Sequence, residues 1–186
     1  MTQTISNYIN ELNDIIVDIL NDKTLDYKMS MVFDLINQSK LNKKIILIGN
    51  GGSASIASHT AIDLWKTAGI KAITFNDASL LTCISNDFGY EQVFEKPIEM
   101  FAEKGDILIA ISSSGMSRNI INGVKTAKEK GCITITMSGF KKNNILKTLG
   151  DINFYVPSMS YGYVELSHTI LCHFISDTLS MEKTHG

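Results

Sequence analysis

Two turns rich in glycine and serine each lie between an apolar, β-branched run and a segment with helical spacing. The first spans residues 49–53 (GNGGS) and the second spans residues 112–117 (SSSGMS). Glycine lets the backbone approach a ligand closely, and serine hydroxyls and helix N-termini donate hydrogen bonds to an anion without a cation. A chain that repeats this strand–turn–helix unit is expected to form an α/β fold that holds a phosphorylated ligand.

Short apolar runs predict five buried strands, at residues 44–48, 71–75, 106–111, 132–137 and 151–156. Helical segments fill the intervals at residues 54–67, about 91–103, 117–130, 142–149 and 161–182. This alternation indicates a five-stranded parallel sheet flanked by helices. In such a sheet ligands bind beyond the carboxyl ends of the strands, near a topological switch point, and both turns are expected there.

Two amphipathic helices are predicted ahead of the first strand, because apolar residues recur at helical spacing from Ile5 to Ile19 and again from Met29 to Ile36. The helical pair occupies residues 1–40 and the α/β core residues 41–186. The chain has 186 residues, 44% of them hydrophobic, and no Pro/Gly-rich linker, which predicts one domain. We expect the pair to pack against a neighbouring subunit as well as against the sheet.

Composition argues against several classes of partner. The formal charge of −2 and the absence of long Lys/Arg runs disfavour general nucleic-acid binding. The first six residues lack the basic start of a signal peptide, and no apolar stretch is long enough to span a membrane, so a cytoplasmic protein is expected. Three widely spaced cysteines fit reduced thiols. The expected partner is a small molecule or another subunit.

The turns do not match nucleotide-binding motifs. The first turn lacks the Gly-Lys-Ser/Thr ending of a Walker A loop, and it lacks the third glycine and downstream acid of a dinucleotide fingerprint. We therefore expect no nucleotide cofactor. Alone, this turn is equally compatible with a purely structural role. The serine hydroxyls of the second turn favour a sugar phosphate.

Several motifs together resemble the sugar isomerase (SIS) domain family, and within it the phosphoheptose isomerases. They are the turns at 49–53 and 112–117, the segments 86–89 (NDFG) and 127–131 (AKEKG), and Asn119. The resemblance implies an enzyme that isomerises an aldose and a ketose, sedoheptulose 7-phosphate and D-glycero-D-manno-heptose 7-phosphate. It also implies a homotetramer whose active sites are shared between subunits.

The resemblance assigns ligand-binding roles to residues of both turns. Serines are expected to hold the phosphate, in a loop that includes Gly51: Ser53, Ser112, Ser114 and Ser117. Residues expected near the sugar are Asn50, Asp87 and Ser113.

Histidines and carboxylates on two predicted helices form a second group. His59 and Asp63 are four residues apart and share a helix face, so both can reach one ligand, although a solvated or core-capping pair has the same spacing. Glu165 and His173 are about two turns apart and also share a side, whereas His168 is rotated away. Two imidazoles and two carboxylates suit zinc or another divalent metal. The residues alone leave the metal open.

The resemblance gives these residues roles. In some family members zinc is bound by the residues that match His59, Asp63, Glu165 and His173. The family's base is a Glu at the position of Asp63, and His173 matches a catalytic His. Isomerisation through an enediol needs one group to move a carbon-bound proton and another to handle the hydroxyl proton. Asp63 and His173 are the expected pair, with Glu165 and His59 as helpers or metal ligands.

The sequence departs from the family at positions near the sugar. Asp63 is one methylene shorter than Glu, and Glu165 is charged where the family has Gln, so Glu165 is expected to share the base role or to tighten metal binding. A family Arg near residues 64–67 and a family Asp near residues 161–164 are absent. Two alternatives therefore stay open: an isomerase of another ketose phosphate, and a non-catalytic sugar-phosphate-binding module.

Overall fold

The computed structural model describes residues 4–39 and 43–184. The strands are β1 (Ile45–Gly49), β2 (Ala72–Thr74), β3 (Ile107–Ser112), β4 (Ile133–Ser138) and β5 (Ile152–Tyr155). The α-helices are α1 (Ile5–Leu20), α2 (Leu25–Ser39), α3 (Gly52–Lys66), α4 (Ala78–Phe88), α5 (Glu95–Phe101), α6 (Arg118–Glu129), α7 (Ile145–Leu149) and α8 (Tyr161–Thr184). A 3-10 turn spans Tyr90–Gln92.

The five strands form one parallel sheet in the order β2-β1-β3-β4-β5. Strands β1 and β3 are buried along their whole length, as a parallel sheet covered on both faces requires. The strand order reverses between β1 and β3, and Gly49 pairs with Ile111 in the register of these two strands. The turns that follow β1 and β3 therefore leave the sheet side by side, at its topological switch point.

Successive residues of β1 point to opposite faces of the sheet and build two cores. Ile45 and Leu47 pack in one cluster with apolar residues of α2, α3 and α8. Ile46 and Ile48 pack in a second cluster with residues of α4, α5, α6 and α7. Helices α3 and α8 thus cover the same face of the sheet.

The structure differs from the sequence prediction at the connection after β2. Helix α4 was not predicted, because its polar and β-branched residues do not form a continuous apolar stripe; only Ile84 is buried. The Asp77 side chain caps α4 by accepting a hydrogen bond from the Leu80 N–H at 3.0 Å. The predicted helix at about 91–103 is divided into the 3-10 turn and the shorter α5.

The first helix, α1, is amphipathic as predicted, but it has no buried residue in the single chain. Ile5, Ile9 and Leu20 are all more than half exposed. The helix is attached to α8 through Tyr8, whose ring lies 4.5 Å from that of Tyr163. The boundary predicted at residues 40 and 41 lies outside the described residues. Across the described ranges, no helix is long and apolar enough to cross a membrane.

His168 is the core histidine of α8, and its burial predicts a pH effect on stability. The side chain is fully buried, Nε2 lies 3.4 Å from the Ser138 carbonyl oxygen, and Nδ1 has no partner among the described residues. Burial lowers the pKa of His168 from 6.5 to about 4. Between these values the unfolded chain binds a proton that the folded chain excludes, so stability falls as the pH decreases.

We expect His168→Asn to flatten this pH dependence. Relative to the wild type, the variant should lose less unfolding free energy between pH 6.5 and 4, by on the order of 3 kcal/mol. Urea unfolding at a series of pH values measures the difference. The exposed His59, changed to Asn, controls for the loss of a histidine as such. Parallel curves for wild type and His168→Asn would contradict the prediction.

Candidate active site

A cleft of about 240 Å³ opens at the carboxyl ends of β1 and β3. Its lining is formed by both turns and the start of α8: Asn50, Gly51, Gly52, Ser53, Ser112, Ser113, Ser114, Ser117, Tyr161 and Glu165. Apart from Asp87, every residue predicted from the sequence to bind the sugar phosphate is among them. The reversal of strand order brings together two turns that are about sixty residues apart in the sequence.

The first turn supplies close backbone approach and an uncapped helix start. A Cβ at Gly49 would lie 2.5 Å from the backbone of Ser53, so the tight turn requires glycine there. Gly51 has a φ of 53°, the left-handed region that favours glycine. Helix α3 begins without a side-chain cap. The N–H groups of its first turn therefore have no side-chain acceptor and favour an anion at this end of the helix.

The second turn supplies hydroxyl groups. Ser112 Oγ accepts a hydrogen bond from the Gly115 N–H at 3.2 Å and lies 3.4 Å from Ser117 Oγ. Ser113 Oγ is buried and has no hydrogen-bond partner among the described residues. Helix α6 also starts without a side-chain cap hydrogen bond from Ser117. A buried hydroxyl without a partner is costly, and an oxyanion in the cleft is a suitable acceptor for it.

Glu165 brings a carboxylate into the same cleft. The space that a Cβ on Gly52 would occupy is filled by the Glu165 carboxyl group. The negative charge therefore lies at the N-terminus of α3, where the helix dipole favours it. Glu165 is thus a cleft residue, and it competes for space and charge with any anionic ligand.

A second cluster lies farther along α3 and α8. Asp63 Oδ2 is 3.3 Å from His59 Nε2 and 3.8 Å from His173 Nδ1, and the two imidazole centroids are 5.2 Å apart. One ligand atom from each residue lies within 4.8 Å of the others. Two imidazoles and a carboxylate are the ligand set of a catalytic zinc site with an open position. We call His59, Asp63 and His173 the triad.

The four residues predicted to bind a metal lie at two separate positions: Glu165 lies in the cleft, and the other three form the triad. Helices α3 and α8 pack side by side and run in the same direction, so Glu165 meets Gly52 at the start of α3 while His173 meets Asp63 near its end. Eight residues of helix separate Glu165 from His173 by about 12 Å. Within the described part of one chain, Glu165 is not a member of the metal-competent cluster.

Comparison with known proteins identifies the fold. The sequence model of the SIS domain matches residues 7–139. A phosphoheptose isomerase from Aliarcobacter butzleri is 41% identical over 152 residues, which cover 78% of this chain and 80% of that protein. The chain belongs to the SIS domain family. Its single five-stranded parallel domain with two leading helices, predicted from the sequence, is confirmed.

Two further relatives extend the SIS likeness over nearly the whole chain. A phosphoheptose isomerase from Syntrophotalea carbinolica is 31% identical over 187 residues, covering 97% of this chain and 94% of that protein. The solved phosphoheptose isomerase of Neisseria gonorrhoeae superposes with a TM-score of 0.86 at 29% identity, covering 94% of this chain and 97% of that one. This coverage reaches into α8, which the SIS match at 7–139 does not include.

Asp87 lies outside the cleft of its own chain. It is exposed in the last turn of α4, where its carboxylate accepts a hydrogen bond from the Asn86 amide at 2.8 Å and lies 3.7 Å from Cys83 Sγ. Its expected role near the sugar stays a prediction. Conversely, no role was predicted for Gly52 or for the hydrogen bond from Tyr90 to Asn50. Gly52 had a signal, since it belongs to the glycine-rich turn.

The contact between Gly52 and Glu165 gives a test of the SIS cleft. Gly52→Ala is expected to displace the Glu165 carboxyl group with a loss of stability of no more than about 1 kcal/mol, because the group in the way is the end of a flexible side chain. Glu165→Ala removes the obstacle, so the double variant should recover most of that loss. Urea unfolding of wild type, both single variants and the double variant measures the coupling. Additive effects would show that the two side chains do not compete for this space.

Proposed function

We propose that the protein is a phosphoheptose isomerase that interconverts sedoheptulose 7-phosphate and D-glycero-D-manno-heptose 7-phosphate. The observation that carries the proposal is the serine-lined cleft at the β1/β3 switch point, in a chain whose curated relatives are named phosphoheptose isomerases. Two uncapped helix starts and the unpartnered Ser113 hydroxyl favour an oxyanion there. The phosphate is proposed to bind Ser53, Ser112, Ser114 and Ser117, with Asn50, Gly51 and Ser113 adjoining the sugar.

Asp63 and His173 are the proposed acid–base pair. In the ketose-to-aldose direction, a carboxylate removes the proton from C1, next to the C2 carbonyl, and an enediol forms. A second group moves the proton between the two oxygens, and the carbon-bound proton then returns to C2. The separation of 3.8 Å between Asp63 Oδ2 and His173 Nδ1 allows both side chains to reach adjacent substrate atoms.

Glu165 is the second candidate for the base. Its carboxylate already lies in the cleft, whereas the triad lies about two helical turns away. One carboxylate more than the family pattern is therefore available to the substrate. We propose that Glu165 shares the carbon-proton transfer with Asp63.

The triad is the proposed holder of a divalent metal ion, zinc being the best match to two imidazoles and a carboxylate. When bound, such an ion supplies a positive charge that stabilises negative charge on an enediolate oxygen. His59 then serves as a ligand that holds Asp63 in place; their separation is 3.3 Å. Glu165, the fourth predicted ligand, reaches the triad only where another copy brings its cleft nearby.

A homotetramer with shared sites is supported by the surface around the triad. The His59 side chain is 60% exposed. Large apolar side chains are exposed near the triad residues in sequence: Ile62 and Trp65 follow His59 on α3, and Ile170 and Phe174 flank His173 on α8. Apolar surface of this kind is typical of a subunit interface. We propose that a neighbouring copy covers this face, so that the triad of one chain completes the cleft of another.

A cytoplasmic location is part of the same proposal. Cys83, Cys132 and Cys172 are all unpaired. Free thiols fit a reducing compartment, and burial raises the pKa of Cys132 and Cys172 to about 11, which keeps both in the unreactive thiol form.

Activity is tested by incubation with sedoheptulose 7-phosphate in D₂O and detection of deuterium at the carbon next to the carbonyl. Asp63→Asn and His173→Gln are each expected to lower turnover at least about 100-fold, because each removes a proton-transfer group. Glu165→Gln is expected to lower turnover, metal content or both. Glu129→Gln, an exposed carboxylate at the far end of α6, is the matched control.

Three outcomes separate the alternatives. Exchange with another ketose phosphate but not with sedoheptulose 7-phosphate would assign a different substrate. No exchange with any ketose phosphate, together with phosphate-dependent binding, would identify a non-catalytic module. Full turnover and full metal content in Glu165→Gln would remove Glu165 from both roles.

The shared-site proposal predicts that assembly and activity are lost together. Phe174→Glu places a charge on the exposed apolar face beside the triad and is expected to give a 20.5 kDa monomer with little turnover. Light scattering coupled to gel filtration measures the mass. Met100→Glu, which charges an exposed side chain of α5 on the other sheet face, is the control. An active monomer would contradict the proposal.

A further inference from the structure

Asn50, which lines the cleft, forms one hydrogen-bonded group with Asn119 and Tyr90, which we call the amide clamp. Asn50 Nδ2 donates to Asn119 Oδ1 at 2.9 Å, and Asn119 Nδ2 donates back to Asn50 Oδ1 at 2.8 Å. The Tyr90 hydroxyl donates to the same Asn50 Oδ1 at 3.1 Å. The clamp connects the first turn, the start of α6 and the 3-10 turn.

The clamp fixes which end of the Asn50 amide faces the ligand. A backbone N–H can only donate, and the Ile120 N–H lies 3.0 Å from Asn119 Oδ1, which sets that atom as the acceptor. Asn119 Nδ2 must then face Asn50 Oδ1. With Tyr90 as a second donor, both acceptor positions of Asn50 Oδ1 are filled, and a flipped Asn50 amide would oppose donors to donors.

The polar group that remains for the cleft is therefore a donor. Asn50 Nδ2 has two N–H groups, and the clamp uses one of them. Asn50 lines the cleft, so its second N–H is the group available to a bound molecule. An N–H donor binds an electron-rich oxygen and rejects a hydroxyl hydrogen.

The 3-10 turn that carries Tyr90 is attached to α6 through the neighbouring residue, Glu91. Glu91, the next residue after Tyr90, accepts a hydrogen bond from Arg118 at 2.9 Å, and its carbonyl accepts one from Asn122 at 3.2 Å. Tyr90 itself is 56% exposed, so its ring contributes little to the core. The position of this side chain is thus explained by its hydroxyl contact with Asn50 rather than by packing.

We propose that Tyr90 and Asn119 are positioning residues that hold Asn50 as a hydrogen-bond donor to an electron-rich oxygen of the ligand. This oxygen belongs either to the phosphate or to the enediolate, and the inference rests on the proposed function of the cleft. Neither positioning residue needs to touch the ligand, because both act through Asn50. Loss of the Tyr90 hydroxyl frees the Asn50 amide to rotate and weakens the donor.

The test compares Tyr90→Phe with the matched control Tyr27→Phe, an exposed tyrosine of α2. The measurements are the affinity for inorganic phosphate, followed through the backbone amide NMR signals of the turns at 49–53 and 112–117, and kcat and KM for sedoheptulose 7-phosphate. Tyr90→Phe is expected to weaken phosphate affinity, raise KM or lower kcat by about 3- to 10-fold, the effect of losing one neutral hydrogen bond. Weaker phosphate affinity together with a higher KM would show that Asn50 donates to the phosphate oxygen. A lower kcat would show that it donates to the enediolate oxygen.

The same change in an Asn50→Ala background separates positioning from a general structural effect. If Tyr90 acts through Asn50, Tyr90→Phe has no further effect once the Asn50 amide is gone. An equal loss in both backgrounds, or values like those of Tyr27→Phe, would overturn the inference. Phosphate binding that follows the expected pattern without sugar turnover would retain the clamp and reject the isomerase. Normal sugar turnover, with phosphate affinity, KM and kcat all unchanged by Tyr90→Phe, would retain the isomerase and reject the clamp.

Discussion

The reversal of strand order between β1 and β3 is the constraint on which the site depends. Because these two strands pair in parallel with Gly49 opposite Ile111, the turns that follow them leave the sheet at the same height and side by side. Each turn alone is an ordinary strand-to-helix connection. Together they direct two uncapped helix starts and several serine hydroxyls into one volume, and this convergence makes the edge suitable for a phosphate.

The parallel packing of α3 against α8 then separates the serine-lined cleft from the groups proposed for proton transfer. The beginnings of these helices form the cleft wall at Gly52 and Glu165, and their later turns form the triad at Asp63 and His173. A sugar phosphate that is anchored by its phosphate must extend toward acid–base groups, or a second copy must bring them. Exposed apolar residues beside the triad, such as Phe174, favour the second arrangement.

The sequence predicted what depends on local pattern and on one helix face. The buried strands have continuous apolar runs, the turns have glycine and serine at fixed offsets, and His59 and Asp63 share a face at the spacing of four. The features that it did not predict depend on how far apart two residues lie along a helix, or on contacts between separate elements. Glu165 and His173 lie on the same side of α8 but about two turns apart, so they contact different residues of α3. Tyr90 contacts Asn50, which is forty residues away in the sequence. Helix α4 has too few buried residues to leave a periodic signal.

The negative charge of Glu165 opposes the binding of an anionic ligand in the cleft. In the free protein the N-terminus of α3 stabilises its carboxylate, which packs against Gly52. A phosphate dianion bound by the neighbouring serines would meet that negative charge at short range, a repulsion of a few kcal/mol at the dielectric of a partly exposed site. Binding therefore requires the carboxylate to meet a cation or to move away from the phosphate. A carboxylate that moves from the phosphate toward the sugar stays charged and can accept a carbon-bound proton, which a neutral Gln at this position cannot do.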